Sequence, residues 1–219
     1  VTTHLQKILS IVVFSCLIYS CQSDKHERTN TLTEYYYPSI SNFQNDTILT
    51  RIDLESISNY GELMNVTDRI ACNGKLPVLQ FVSNQNTINL LVFKDCSDSN
   101  SIVDYMNKNV ISIEKNSIII NDRLEEPFDS LNSVLKKHIL NPKSQDYYST
   151  NIEKAIIFYN QDSLYPGQSI KNQFEKIVSE FNLLNSKNGD SLPLKIKLMD
   201  TPYIRHVNPP PPPKHIQIE

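Results

Sequence analysis

Val110-Ile111-Ser112-Ile113-Glu114-Lys115-Asn116-Ser117-Ile118-Ile119-Ile120 decides how this chain is read. Val110, Ile111 and Ile113 make one apolar strand and Ile118 to Ile120 the next, with the polar turn Glu114-Lys115-Asn116-Ser117 between them. Downstream, Pro127 sits where a helix should begin, because its missing N–H costs nothing in a first turn. Phe128, Leu131, Leu135 and Ile139 fall at i, i+3, i+7 and i+11 and form one apolar stripe, which Pro142 ends. Lys154 to Asn160, with Ala155-Ile156-Ile157-Phe158-Tyr159 inside it, suits a buried strand. Tyr165-Pro166-Gly167 then turns the chain, and Ser169 is placed to cap a second helix. On that helix Ile170, Phe174, Ile177, Val178, Phe181 and Leu184 hold one face, and Asn188-Gly189 stops it. In the last strand Leu194, Ile196 and Leu198 alternate with Lys195 and Lys197. The order is ββαβαβ over residues 105–200, a two-layer domain, and the fold class is α+β.

Upstream, residues 48–104 read as a β-rich leading segment with a hairpin. Ile48 to Leu54 is a strand, Ser56 to Met64 reads either way, and Gly61 and Asn73-Gly74 mark turns. Leu76 to Val82 and Ile88 to Phe93 flank the polar turn Ser83-Asn84-Gln85-Asn86-Thr87. A hairpin folded about Asn84 sets residues whose numbers sum to 168 opposite one another, which brings Cys72 to Cys96. A structural disulfide closing the open end of that hairpin is the reading adopted. A redox dithiol would be expected as a close C-x-x-C pair at a helix start. Residues 21–47 are polar and without period, a solvated tether interrupted by Tyr35-Tyr36-Tyr37-Pro38, which docks on the protein's own core, seeds a strand edge or meets a membrane surface.

Residues 1–20 follow the plan of a secretory signal: His4 and Lys7, then an almost wholly apolar run from Ile8 to Tyr19, then a small residue before Cys21. The run is too short to span a bilayer, which takes roughly 20 apolar residues. Leu17-Ile18-Tyr19-Ser20-Cys21 resembles the lipobox of bacterial lipoproteins. The resemblance implies cleavage before Cys21, a diacylglyceryl anchor on its sulfur, and a mature protein lipid-anchored outside the cytoplasm, periplasmic or on the outer membrane. Of the four cysteines in 219 residues, Cys16 then leaves with the signal, Cys21 carries lipid, and Cys72 and Cys96 remain for each other. Loss of Lys7 takes the formal net charge from -3 to about -4. A mildly acidic chain without a Lys/Arg cluster carries no footprint for nucleic acid.

The hairpin reading Ile118-Ile119-Ile120-Asn121-Asp122-Arg123-Leu124, set ahead of Pro127 and an amphipathic helix, a buried strand and a second helix, resembles the periplasmic domain of the ExbD/TolR family over residues 105–200. The resemblance implies an envelope protein that binds protein partners or peptidoglycan beside a proton-driven motor. Family members cross the inner membrane with a helix bearing an acid. Ile8 to Tyr19 has none, so only the binding role carries over.

Chemistry-bearing motifs are sparse. The four glycines, Gly61, Gly74, Gly167 and Gly189, are too scattered for a phosphate loop, and neither G-x-S-x-G nor H-E-x-x-H occurs. His138, in the last turn of the first predicted helix, is expected to sit as an imidazolium on the negative dipole end. His206 and His215 are held apart by the stiff run Pro209-Pro210-Pro211-Pro212-Pro213, so neither a metal site nor a cofactor is expected. Those five prolines, in a Pro-rich tail over 201–219, are the candidate partner-binding residues, as a polyproline II ligand or as a spacer. The reading is a noncatalytic envelope lipoprotein that binds a partner. Its rivals are an envelope hydrolase built on residues such as Asp162, Glu153 or His138, and a purely structural lipoprotein.

Overall fold

Gly167 and the carbonyl of Ile57 touch so closely that they set how the two halves of the chain meet. The computed structural model describes residues 33–39, 41, 46–97, 107–141, 145–149, 151–189 and 192–200. Cys21 and the tail prolines Pro209 to Pro213 lie outside the described residues, as do Pro142, His206 and His215.

The fold is α+β, with two mixed sheets and three α-helices among the described residues. The leading half contributes β1 (Thr33–Tyr37), β2 (Leu49–Asp53), α1 (Tyr60–Cys72), β3 (Leu76–Ser83) and β4 (Asn86–Leu91), with sheet order β1-β4-β3-β2. β3 and β4 are antiparallel, whereas β1 runs parallel to β4 and β2 parallel to β3. The second half contributes β5 (Val110–Glu114), β6 (Ser117–Ile120), β7 (Leu124–Pro127), α2 (Leu131–Leu140), β8 (Ile156–Asn160), α3 (Gly167–Ser186) and β9 (Ile196–Leu198), in the order β7-β6-β5-β8-β9. One core takes in side chains of all three helices and both sheets, from Leu63, Leu79 and Leu90 to Ile113, Leu135, Phe174 and Ile196. Each such side chain, once fully buried, contributes about 1.5–3 kcal/mol.

The stripes expected on the helices hold. Leu131, Leu135 and Ile139 of α2 are buried, and so are Ile170, Phe174, Ile177, Val178, Phe181 and Leu184 of α3. Other expectations change. Pro127 ends a third strand, β7, and does not open a helix, because Asn121 and Asp122 take positive φ and fold the chain back on β6. A 3₁₀ turn, Phe128–Ser130, then leads into α2, so the order is βββαβαβ. Ser169 lies inside α3, which starts at Gly167 behind Pro166 and has no side-chain cap.

Ser56 to Met64 resolves as the approach to α1, whose Tyr60, Leu63, Met64 and Thr67 are buried at helical spacing. Asn59 accepts the Glu62 N–H at 2.9 Å and the Glu62 carboxylate accepts the Ser58 N–H at 2.8 Å, a variant of the capping box. The hairpin turn is two residues long. Asn84 and Gln85 both have positive φ, and Ser83 pairs with Asn86, one residue off the register centred on Asn84. Cys72 and Cys96 do stand as a disulfide pair, Cα–Cα 4.7 Å, but Cys72 lies in the last turn of α1. The pair therefore ties that helix to the strap after β4, and does not close a hairpin. The tether expected over 21–47 contains β1, with Tyr37 in the core.

Three seams join the halves. Tyr60 and Gly61, whose N–H groups no α-helix can satisfy at its own first turn, donate to the Tyr165 and Ser163 carbonyls at 2.9 and 2.8 Å, and Gly167 donates to Ser58 at 2.8 Å. The buried Tyr60 hydroxyl lies 2.7 Å from the Tyr159 carbonyl and 2.9 Å from that of Met199, and donates to one of them. Phe93, just past β4, bonds both ways with β9, to Ile196 and from Leu198, at 2.8 Å each. Around it Lys94, nearly sealed from solvent, meets Asp200 at 2.7 Å and Asp68 at 3.5 Å. Lys197, buried on the face opposite the core, pairs with Asp95.

A Cβ on residue 167 would overlap the Ile57 carbonyl, and backbone cannot yield as a side chain can. Gly167→Ala is expected to destabilise the protein by about 3 kcal/mol or more, read by urea unfolding. Cys72→Ser opens a loop spanning 24 residues of separation. It should cost about 3 kcal/mol under non-reducing conditions and nothing further when reductant is added.

Candidate binding groove

The sheet of the leading half carries its residues in rows that run beneath α3. Tyr37, Leu90 and Leu79 face one another across β1, β4 and β3, and the next row toward the hairpin turn is Tyr35, Ile88 and Phe81. The first row is sealed. Tyr37 packs edge-on against Phe181, ring centroids 6.3 Å apart, and its hydroxyl donates to Asn182 Oδ1 at 2.7 Å. In the second row Ile88 and Phe81 are buried as well, and only Tyr35 is left open, 45% exposed. A groove of about 500 Å³ lies between the hairpin and α3.

Phe81 and Ile88, with Val178 from the helix, line its apolar side. Polar groups face them from the flank of α3, where Ser179, Asn182 and Ser186 repeat at helical spacing beside the buried stripe. Ser83, Asn84 and Asn86 supply the hairpin wall. Tyr35 and Leu183, 45% and 50% exposed, also border it. Among the described residues Glu175 is the single charged lining residue, 3.9 Å from Lys171 one turn earlier.

Several of these groups have one half of their hydrogen-bonding capacity committed. Asn182 Oδ1 accepts from Tyr37, and Asn185 Oδ1 accepts the Leu192 N–H at 3.0 Å, so among the described residues both amides have their N–H₂ donors left to offer. Asn86 Nδ2 donates to the Asn84 carbonyl at 3.1 Å and keeps an oxygen acceptor. Fixed donors and acceptors beside a half-exposed aromatic ring suit recognition. A smaller hollow of about 230 Å³ lies between α2 and α3, lined among others by Lys136, Lys187 and Leu183.

The residues named for a hydrolase are not assembled here. Asp162 caps a turn by accepting the Leu164 N–H at 2.9 Å, and Glu153 pairs with Lys195. His138 is in the last turn of α2 as expected, but it is fully buried and does not serve as a charged cap. Burial pushes its pKa down to about 4, against the smaller upward pull of the Ile156 carbonyl 3.2 Å from Nε2. The neutral ring therefore donates from Nε2, and Nδ1 has no hydrogen-bond partner. Asn141, in the left-handed region, closes the helix through its N–H to the Lys137 carbonyl. Among the described residues no cluster of three or more His, Cys, Asp or Glu is placed to hold a metal ion, and no helix is long and apolar enough to cross a membrane. No family model, curated protein or solved structure matches this chain.

His138 gives the fold a pH dependence of defined sign. The folded chain keeps the ring neutral to about pH 4, whereas the unfolded chain binds a proton near the ordinary value of 6.5. Stability from this group is thus complete above 6.5 and lost as pH falls, by about 1.4 kcal/mol per unit until the folded pKa is reached. Urea unfolding at pH 7, 6 and 5 should show a shallower acid loss for His138→Gln than for the parent; parallel profiles would contradict the assignment.

Proposed function

We propose that this chain is a noncatalytic cell-envelope lipoprotein, held by lipid on Cys21, that binds a protein or cell-wall partner through its folded body. The groove beside α3 is the observation that carries the reading. It offers side-chain donors and acceptors beside a half-exposed aromatic ring, and the acids and the imidazole that would serve hydrolysis lie elsewhere, each engaged on its own.

Two features of the sequence support the address and the partner class. Leu17 to Cys21 is similar to a lipobox, and eleven residues lie between Cys21 and Thr33 at the start of β1. Fully extended, that leash spans at most about 40 Å, which keeps the body within reach of partners at the membrane surface. The run of elements from β5 to β9, with helices after the third and fourth strands, keeps the order that resembles the ExbD/TolR periplasmic domain and adds one edge strand to it. Pro209 to Pro213 are a second contact surface in this reading, available to an aromatic groove on a partner.

Crosslinking the lipidated protein in its own envelope and identifying what is recovered tests the proposal. Motor or cell-wall components are the expected catch. Recovery of a small molecule alone, turned over by the protein, would overturn it. Mass spectrometry of the same sample should find the acyl mass on Cys21 as the first residue.

A further inference from the structure

Resting on the binding role proposed above, we infer that the groove between the β3–β4 hairpin and α3 takes a neutral saccharide. Four properties of the lining point to that class. The first is charge: among the described residues no Lys or Arg lines it and Glu175 is its one carboxylate, so a phosphate or an acidic peptide meets no cation from them there. The second is the mixture of donors and acceptors. Asn182 and Asn185 present N–H₂ groups, Asn86 presents an oxygen, and the hydroxyls of Ser83, Ser179 and Ser186 serve in either sense. A sugar hydroxyl is itself both donor and acceptor and can satisfy such a set without ionising.

The third property is Tyr35, a half-exposed aromatic ring at the open end of a row whose other members, Ile88 and Phe81, are buried. A pyranose has an apolar face of C–H groups that such a ring can cover, while its equatorial hydroxyls point to the walls. The fourth is what a purely apolar ligand would do: it would strip water from the amides and hydroxyls of α3 and return no hydrogen bonds, which is costly. An extended uncharged peptide is the competing occupant and belongs to the test.

Calorimetric titration of the full chain with two probes, a β-1,4-linked N-acetylglucosamine tetramer and maltotetraose, reads the inference directly. Binding of either supports it, and preference between them tells whether acetamido groups or hydroxyls are being read. Tyr35→Ala is expected to weaken the preferred probe by about tenfold. Ser179→Arg, at an exposed helix position where the longer side chain projects into the groove, is expected to abolish binding, and Lys136→Ala, in the hollow between α2 and α3, should leave it unchanged. All three sites are at the surface, and unchanged urea midpoints would verify that the variants fold. Silence from both probes up to about 10 mM, or binding that ignores Tyr35→Ala and Ser179→Arg, overturns the inference. A photocrosslinker at Leu183 separates the two levels of the argument. Capture of a protein with no response to either sugar removes the saccharide and leaves the binding role standing, whereas capture of nothing together with silent titrations removes both.

Discussion

The fold depends on a place where two backbones approach more closely than any side chain would permit. Ile57 and Ser58 lie against Gly167, so the entrance to α1 and the entrance to α3 are locked to each other by three backbone hydrogen bonds. Those bonds use N–H groups that a helix start leaves unsatisfied, so the contact removes a desolvation penalty from each half as it joins them. The Tyr60 hydroxyl extends the seam inward to β8 and β9. With α3 fixed at its first residue, its length carries it over the leading sheet, where Phe181 meets Tyr37, and the groove lies between the helix flank and the hairpin.

How much of this could be read from residues alone follows from how local each signal is. The buried stripes of α2 and α3 and the alternation of β9 depend on spacing within one element, and they were legible. Helix α1 was obscured because Gly61, Asn65 and Thr67 are weak helix formers and its apolar face is short; its real signal, the Asn59 and Glu62 cap, is one a closer reading of start signals can find. Strand β7 hid because Glu125, Glu126 and Pro127 look like a loop, although charge and proline are what an exposed edge strand needs to resist pairing with another chain. The disulfide partners were foreseeable by elimination, but the geometry behind them was not. The groove could not be foreseen. Its walls come from residues near 35, 81–88 and 175–186, and the polar side of α3 reads in isolation as an ordinary solvated face.

His138 and the charges around Phe93 show two ways in which this interior accommodates polar groups. The histidine is kept neutral and given one bond, leaving Nδ1 unpaired, a penalty met by the surrounding apolar burial. The lysines are surrounded by acceptors. Lys94 has two carboxylates and the Asp95 carbonyl, and Lys197 has Asp95, with the Cys72–Cys96 pair fastening the same strap from its other side. Removing one partner from such a set strands the other charge in poor solvent, so these contacts act as a group.

The parts that hold one another are far apart along the polypeptide. Tyr37 waits for Asn182, 145 positions later, and Tyr60 waits for Met199, 139 positions later. Contacts of that range close large loops before they repay the entropy, which slows the final collapse. A chain synthesised from its N-terminus can pair β1 with β4 early, whereas Tyr37 has no Asn182 to bond until α3 has been made. The core is complete only once α3 and β9 are in place.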